Sequence, residues 1–263
     1  MASLAADMRR LLWTGAQVRE RFSLDNWHAL NRLQHQLQLT REANKRPHEV
    51  GDALVFLDQV LLATSSLSGF AMDNMTRDDG WRFLIIGRRI ERLVFLSNSI
   101  SQFLRLESTR AAGSIEWLLE LTDSIITYRS RYMMRPELMP ALDLIVFDEG
   151  NPHAVAFQAQ NLIRYLTRLT AESGDLGTAN KIQVDDPIKV TLHTLRALLG
   201  RLQCFDLARF EGLDFGECQQ CDPCRALADL LGEIAGVASD LSERLAMRHF
   251  THIGDVSRQT LAA

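Results

Sequence analysis

Proline is scarce in this chain, with six in 263 residues, and tyrosine is scarcer at three. Long stretches therefore contain nothing that breaks a helix, since proline removes a backbone donor and clashes with the preceding turn. β-Branched runs are few and aromatic residues make up only 7% of the chain, which leaves little material for sheet. These shortages argue against a β architecture. They predict an all-α fold, with helices packed on helices in one bundle-like domain over residues 1–263.

Strong basicity is missing as well. With 29 basic and 33 acidic residues the net charge is −4, and no basic stripe stands out to neutralise phosphates. Nucleic acid is therefore not an expected partner. No run reaches the roughly 18 uncharged apolar residues expected of a bilayer span. The most apolar stretch, Ala53 to Met72, is interrupted by Asp58, so no membrane is expected either. Met1-Ala-Ser-Leu lacks the basic-then-apolar layout of a signal peptide. The expected location is the cytoplasm, where cysteines are reduced thiols or metal ligands rather than disulfides. The motifs of common chemistries are absent: no Walker A loop, no G-x-G-x-x-G, no H-E-x-x-H, no G-x-S-x-G and no paired Glu-x-x-His.

What the chain does have is helical periodicity. It predicts helices over about 4–22, from Ser23 as N-cap to before Pro47, and from Val50 to about Ser65, where a Ser/Gly run loosens the pattern. Thr76 is expected to cap a helix reaching about Phe103, with Asp79 near its positive end. Further helices are expected over Ser114–Tyr132, from Asn151-Pro152 to about Leu169, over Pro187–Phe205 and over Arg225–Phe250. The polar stretch 171–186 is the one candidate boundary.

The helix from Asp78 to Leu96 is the most informative. Phe83, Ile86, Ile90, Leu93 and Val94 form one apolar stripe, and Trp81, Leu84, Ile85, Phe95 and Leu96 cover much of the remainder. A helix apolar nearly all round is expected to be buried. It nevertheless carries Asp78, Arg82, Arg88, Arg89, Glu91 and Arg92. Asp78 and Arg82 stand four apart and Arg88 and Glu91 three apart, so both pairs can form. The surplus of arginine over acid then needs an anionic ligand or acids from another helix. The same residues also suit an internal salt-bridge network. A second dense donor set, Thr127-Tyr128-Arg129-Ser130-Arg131-Tyr132, ends a strongly apolar helix, where arginines also complement the dipole.

Cys218-Gln-Gln-Cys221-Asp-Pro-Cys224, with Cys204 upstream, has a spacing that can hold zinc or an iron–sulfur cluster, and equally suits unligated thiols. No other cofactor is indicated by the residues.

The charged segments resemble those of the alpha-E family, bacterial all-helical domains named for a Glu-Arg motif. The resemblance rests on Met75-Thr-Arg-Asp-Asp-Gly-Trp-Arg-Phe-Leu, Gly87-Arg-Arg-Ile-Glu-Arg92 and Leu119-Glu-Leu-Thr-Asp-Ser-Ile-Ile-Thr-Tyr-Arg-Ser-Arg-Tyr132. Arg135-Pro-Glu-Leu-Met-Pro-Ala-Leu-Asp-Leu, Asn151-Pro-His-Ala-Val-Ala-Phe-Gln158, Val18-Arg-Glu-Arg21 and Trp27-His-Ala-Leu-Asn-Arg-Leu33 also fit. It implies a domain found beside or fused to a circularly permuted ATP-grasp protein, with transglutaminase-like proteins as companions. ATP would enter through that partner, and the ligand would be a peptide or an anionic small molecule. The residues carried over are Asp78, Asp79, Trp81, Arg82, Arg88, Arg89, Glu91, Arg92, Thr127, Tyr128, Arg129, Arg131, Asn151 and Gln158. Two features depart from the pattern. A family helix with an earlier Gly-Arg-x-x-Glu-Arg-like motif would precede Met1, so the sequence reads as a fragment of a fusion or a short variant. The cysteine run is not a family feature.

Three readings follow. One is an accessory module of an ATP-grasp-linked system that makes or modifies peptide-like bonds, holding an anionic substrate or partner. Another is a stand-alone enzyme acting on peptides with Glu91 as general acid or base. The third is a structural or oligomerisation protein whose charges only fix packing.

Overall fold

The computed structural model describes residues 4–43, 50–73, 75–106, 111–172, 187–210 and 222–260. Their regular structure is entirely helical, as composition led us to expect. The helices are α1 (Leu4–Gln17), α2 (Leu24–Ala43), α3 (Val50–Asp73), α4 (Asp79–Arg105), α5 (Ser114–Leu121), α6 (Ile125–Tyr132), α7 (Leu138–Leu142), α8 (Val155–Glu172), α9 (Pro187–Gln203) and α10 (Asp222–Thr260). The chain divides into two compact units, Met1–Trp81 and Arg82–Ala263. Most of the candidate boundary at 171–186 lies outside the described residues.

In the first unit α2 packs on both α1 and α3. Ala29, Leu30 and Leu33 of α2 and Val60 of α3 are buried. Gly15 sits against Leu30, where an added Cβ would come within 2.9 Å of a Leu30 methyl. Ser23 caps α2 as expected, its Oγ accepting the Asn26 N–H at 3.3 Å.

One expectation is corrected in this unit. α3 runs through the Ser/Gly stretch to Asp73 rather than loosening near Ser65. The Thr64 hydroxyl donates to Val60 O at 2.8 Å and Ser66 to Leu62 O at 2.9 Å, so these side chains bond the helix's own carbonyls instead of competing with it. Val50–Phe70 is also long and apolar enough to cross a membrane, 21 residues at mean hydropathy 1.4, because its leucines outweigh Asp52 and Asp58.

The second unit holds the larger core. Ile86, Ile90, Leu93, Leu96 and Ile100 of α4 meet Leu162 and Leu166 of α8, Leu195 and Leu202 of α9, and Leu227, Leu231 and Ile234 of α10. Each such aliphatic side chain removed from water contributes about 1.5–3 kcal/mol. α9 packs against both α8 and α10. Ser101 ties α4 to α10 by donating to Ala228 O at 2.7 Å, and Arg105 pairs with Asp229 nearby.

The single helix expected over Ser114–Tyr132 is two. The break falls at Thr122-Asp123-Ser124, where Asp123 takes a left-handed φ of 53°. The Thr122 hydroxyl donates to Leu118 O at 2.9 Å, Ser124 Oγ donates to Thr122 O, and the Ser124 N–H reaches Leu119 O at 2.7 Å. Local polar bonding therefore ends α5. α7 continues directly into a π-helical turn over Asp143–Phe147, closed by Asp148 N–H to Asp143 O at 2.9 Å. π-Turns are rare and concentrate at functional sites.

Candidate functional site

In the first unit the start of α4 is capped by Asp78, two positions after Thr76, the residue expected to act. Asp78 Oδ1 accepts the Trp81 N–H at 3.0 Å. Its other oxygen pairs with Arg21 at 2.5 Å, which joins the Val18-Arg-Glu-Arg21 and Asp78-Asp79 segments. The Trp81 N–H bond holds the Asp78 carboxyl below its ordinary range, burial opposes this, and Arg21 reinforces it. Trp81 is buried, with the Arg77 guanidinium 4.4 Å from its ring centroid. Asp79 is exposed.

The second unit brings most of the remaining site residues onto α4 and α8. The apolar stripe of α4 is buried or half-buried as expected, but Leu84 and Phe95 stay exposed, and so do Arg88, Glu91 and Arg92. Arg82 and Arg89 are half-buried. The expectation that these charges lie inside the core is thus corrected: α4 buries one broad face and presents its arginines at the rim. Arg88 and Glu91, three apart, form no ion pair; among the described residues neither Arg88, Arg89 nor Arg92 has a carboxylate partner.

Arg89 anchors this rim. Its Nη1 donates to Gln158 Oε1 at 3.0 Å, and its guanidinium lies 5.3 Å from the Phe157 ring centroid. Its Nε is buried and has no hydrogen-bond partner among the described residues. Gln158 is buried and donates its own amide to Pro152 O, which fixes the acceptor that Arg89 uses. Burial lowers the Arg89 pKa, Tyr165 opposes this, and Arg88, Arg164 and Arg92 lower it further. Burial and Arg92 lower Arg88 in the same way. Arg164 is held on α8 by Asn161 Oδ1 at 2.5 Å. Arg88, Arg92 and Arg164 therefore each raise the cost of charging Arg89, and Arg92 that of charging Arg88. An anion placed among them would relieve that repulsion with charge-assisted hydrogen bonds.

The other motif residues do something different. Tyr128 is fully buried; its hydroxyl donates to Arg135 O at 3.3 Å and accepts the Glu137 N–H at 3.0 Å. Tyr132 donates to Asp143 Oδ2 at 2.9 Å, at the start of the π-turn. Arg131 pairs with Asp148 at 2.6 Å. Burial pushes the Asp148 carboxyl up, but the Gly150 N–H and Arg131 outweigh it and the net shift is downward. Asn151 donates to Leu144 O at 2.9 Å inside the π-turn and accepts the His153 N–H at 3.0 Å. It shapes the turn before α8, which starts at Val155, three residues later than the Asn-Pro signal led us to expect. Thr127 and Arg129 are exposed on α6.

His153, Asp123, Phe157, Asn161, Arg164 and Tyr165 were not singled out from the sequence. His153 lies within the Asn151–Gln158 segment, and Arg164 is two helical turns beyond Phe157, so helical spacing from that segment could have found it. The cysteine run falls largely out of view: Cys218 and Cys221 lie outside the described residues, while Cys204 is exposed and Cys224 buried. Among the described residues no three His, Cys, Asp or Glu side chains are grouped to hold a metal.

Fold and site together define an all-α domain whose motif residues either bond internally or collect into a cationic rim. A family model described as a predicted alpha-helical domain with a conserved ER motif, Alpha-E, matches residues 1–250, and the chain belongs to that family. Similar proteins are found in mycobacteria. An uncharacterized protein of Mycobacterium bovis is 27% identical over 175 residues, 65% of this chain and 20% of its own length. Uncharacterized proteins of two Mycobacterium tuberculosis strains match to the same extent. The chain thus spans about a fifth of the length of the curated relatives it matches. No solved structure matches it.

Proposed function

We propose that this chain is an accessory helical module of an ATP-grasp-linked system that forms or modifies peptide-like bonds, and that it holds an anionic substrate or partner. The observation that carries the anion preference is the rim of Arg88, Arg89, Arg92 and Arg164, which has no carboxylate pairing among the described residues. Packing alone does not call for that arrangement. Arg88, Arg92 and Arg164 disfavour the charge of half-buried Arg89, whereas an incoming carboxylate or phosphoryl group favours it. The link to an ATP-grasp protein, and to transglutaminase-like companions, rests on the family resemblance.

Calorimetric titration with acidic peptides and nucleotides, with and without the ATP-grasp protein, tests the reading. Binding that weakens as salt rises is expected. Failure to bind any of them in either setting contradicts it. The structural reading has one observation in its favour, the internal bonding of Tyr128, Asn151 and Asp148, and we assign it to those residues alone.

A further inference from the structure

α3 carries two apolar stripes at helical spacing, and its packing on α2 uses one of them. Along that side Val60 is buried and Phe56, Ala63 and Leu67 are half-buried. About a third of a turn round the helix, Val50, Leu54, Leu57 and Leu61 repeat the alternation of four and three residues and stay 46–78% exposed. Val55 and Leu62 widen this face and are exposed as well. Together they make a contiguous apolar patch of a few hundred Å², which marks a docking site rather than the scattered apolar residues of an ordinary surface. A seam at this spacing takes the side chains of a facing helix. Asp58 sits inside the patch. Leu54, Val55, Leu61 and Leu62 are its neighbours three and four residues away, and all four are exposed. Among the described residues Asp58 forms no ion pair. The other charged residues of α3 are Asp52 and Asp73, and the helix contains no Lys, Arg or His.

We propose that this face of α3 docks a basic amphipathic helix of a partner protein. The partner's apolar side chains fill the seam. A Lys or Arg beside them lays its aliphatic stem on Leu54 and Leu61 and brings its charge to Asp58. Charge decides between occupants. A second copy meeting this one α3 to α3 brings no base to Asp58, because the helix has none, and covering a carboxylate without a counter-ion is strongly unfavourable. A two-fold dimer standing on this face alone also needs about 800 Å² from each copy, more than the patch offers. A bilayer is disfavoured on similar grounds. α3 has no cation for acidic headgroups, Asp58 would enter the apolar layer unpaired, and α2 occupies one side of the helix. A helix that supplies the missing cation satisfies both the seam and the acid. This inference does not depend on the arginine rim or on anion binding there.

The experiment uses the full chain and two synthetic helical peptides of about three heptads. Both carry Leu at the a and d positions; one has Lys at e and g and the other Glu, and these like charges keep each peptide from pairing with itself. Fluorescence anisotropy reads binding, and hydrogen exchange in the wild-type chain reads where it occurs without recourse to any variant. The basic peptide is expected to bind at least about tenfold more tightly than the acidic one and to slow exchange over residues 50–62. Asp58→Lys should reverse the preference. Leu54→Gln/Leu61→Gln should weaken the basic peptide about tenfold or more, with circular dichroism unchanged because both side chains are exposed. Equal or weaker binding of the basic peptide overturns the charge of the partner and with it the proposal. Binding of neither peptide, or binding that leaves exchange over residues 50–62 unchanged, overturns the docking face. Two further results replace the occupant and overturn the proposal equally. One is self-association in sedimentation velocity that Leu54→Gln/Leu61→Gln abolishes. The other is co-sedimentation with phosphatidylcholine–phosphatidylglycerol vesicles that the same variant loses.

Discussion

Two groups of motif residues in the second unit differ in one respect. Around the π-turn the buried Tyr128 and Asn151 are partnered, Tyr128 with Arg135 O and the Glu137 N–H and Asn151 with Leu144 O and the His153 N–H, and the half-buried Asp148 takes Arg131 and the Gly150 N–H. Across α4 and α8, among the described residues, Arg88, Arg89 and Arg92 have no acid partner, and Arg89 Nε is buried without an acceptor. The first group is complete without a ligand and stabilises the fold. On the reading proposed above, the second is completed by an anion. Membership of one family motif set therefore does not imply one role.

The comparison breaks if the two groups respond alike to mutation. Asn151→Ala should cost most, about 2–3 kcal/mol, because it orphans the Leu144 carbonyl in the π-turn and the His153 N–H at a buried site. Urea unfolding measures it. Tyr128→Phe should follow at about 1–2 kcal/mol, since it strands Arg135 O and the Glu137 N–H while keeping the ring's packing.

Asp148→Asn should lower stability by about 1 kcal/mol at neutral pH, discounted for the exposure of Arg131. The sign of its pH dependence is fixed. Because the folded-state carboxyl titrates below its ordinary value, its contribution is present above about pH 4 and fades as pH falls through the lowered value. Wild type and variant should therefore converge in acid, as read by thermal unfolding across pH. The combined change Arg88→Met with Glu91→Leu should have the smallest effect, within about 0.5 kcal/mol, since both side chains are exposed and not paired with each other.

Much of the fold was legible because helical signals in this chain are local. Ser23 capped where a serine ahead of an apolar period should, and Pro187 opened α9. The buried stripe Ile86, Ile90 and Leu93 followed from spacing alone. The misjudged points turned on side-chain hydroxyls and one backbone conformation. Thr64 and Ser66 bond carbonyls within α3 and let it continue, whereas Thr122, Ser124 and a left-handed Asp123 end α5. Hydroxyls of the same kind give opposite results, and periodicity does not carry the difference. At the site, composition identified the arginine surplus on α4 but placed it inside the core. An apolar tally around the helix does not reveal that Leu84 and Phe95 face outward beside the arginines. Arg164 came into view only once α8 was seen against α4, since that proximity spans some 70 residues of sequence.

The most direct test measures stability with and without an anion in Arg88→Met/Arg92→Met. In chloride alone the double variant should be at least as stable as the wild type, because removing two unpaired, mutually repelling cations relieves the fold. Low-millimolar sulfate should then stabilise the wild type more than the variant. A loss of more than about 1 kcal/mol in chloride, with the same response to sulfate in both proteins, would mean that these arginines serve packing rather than binding.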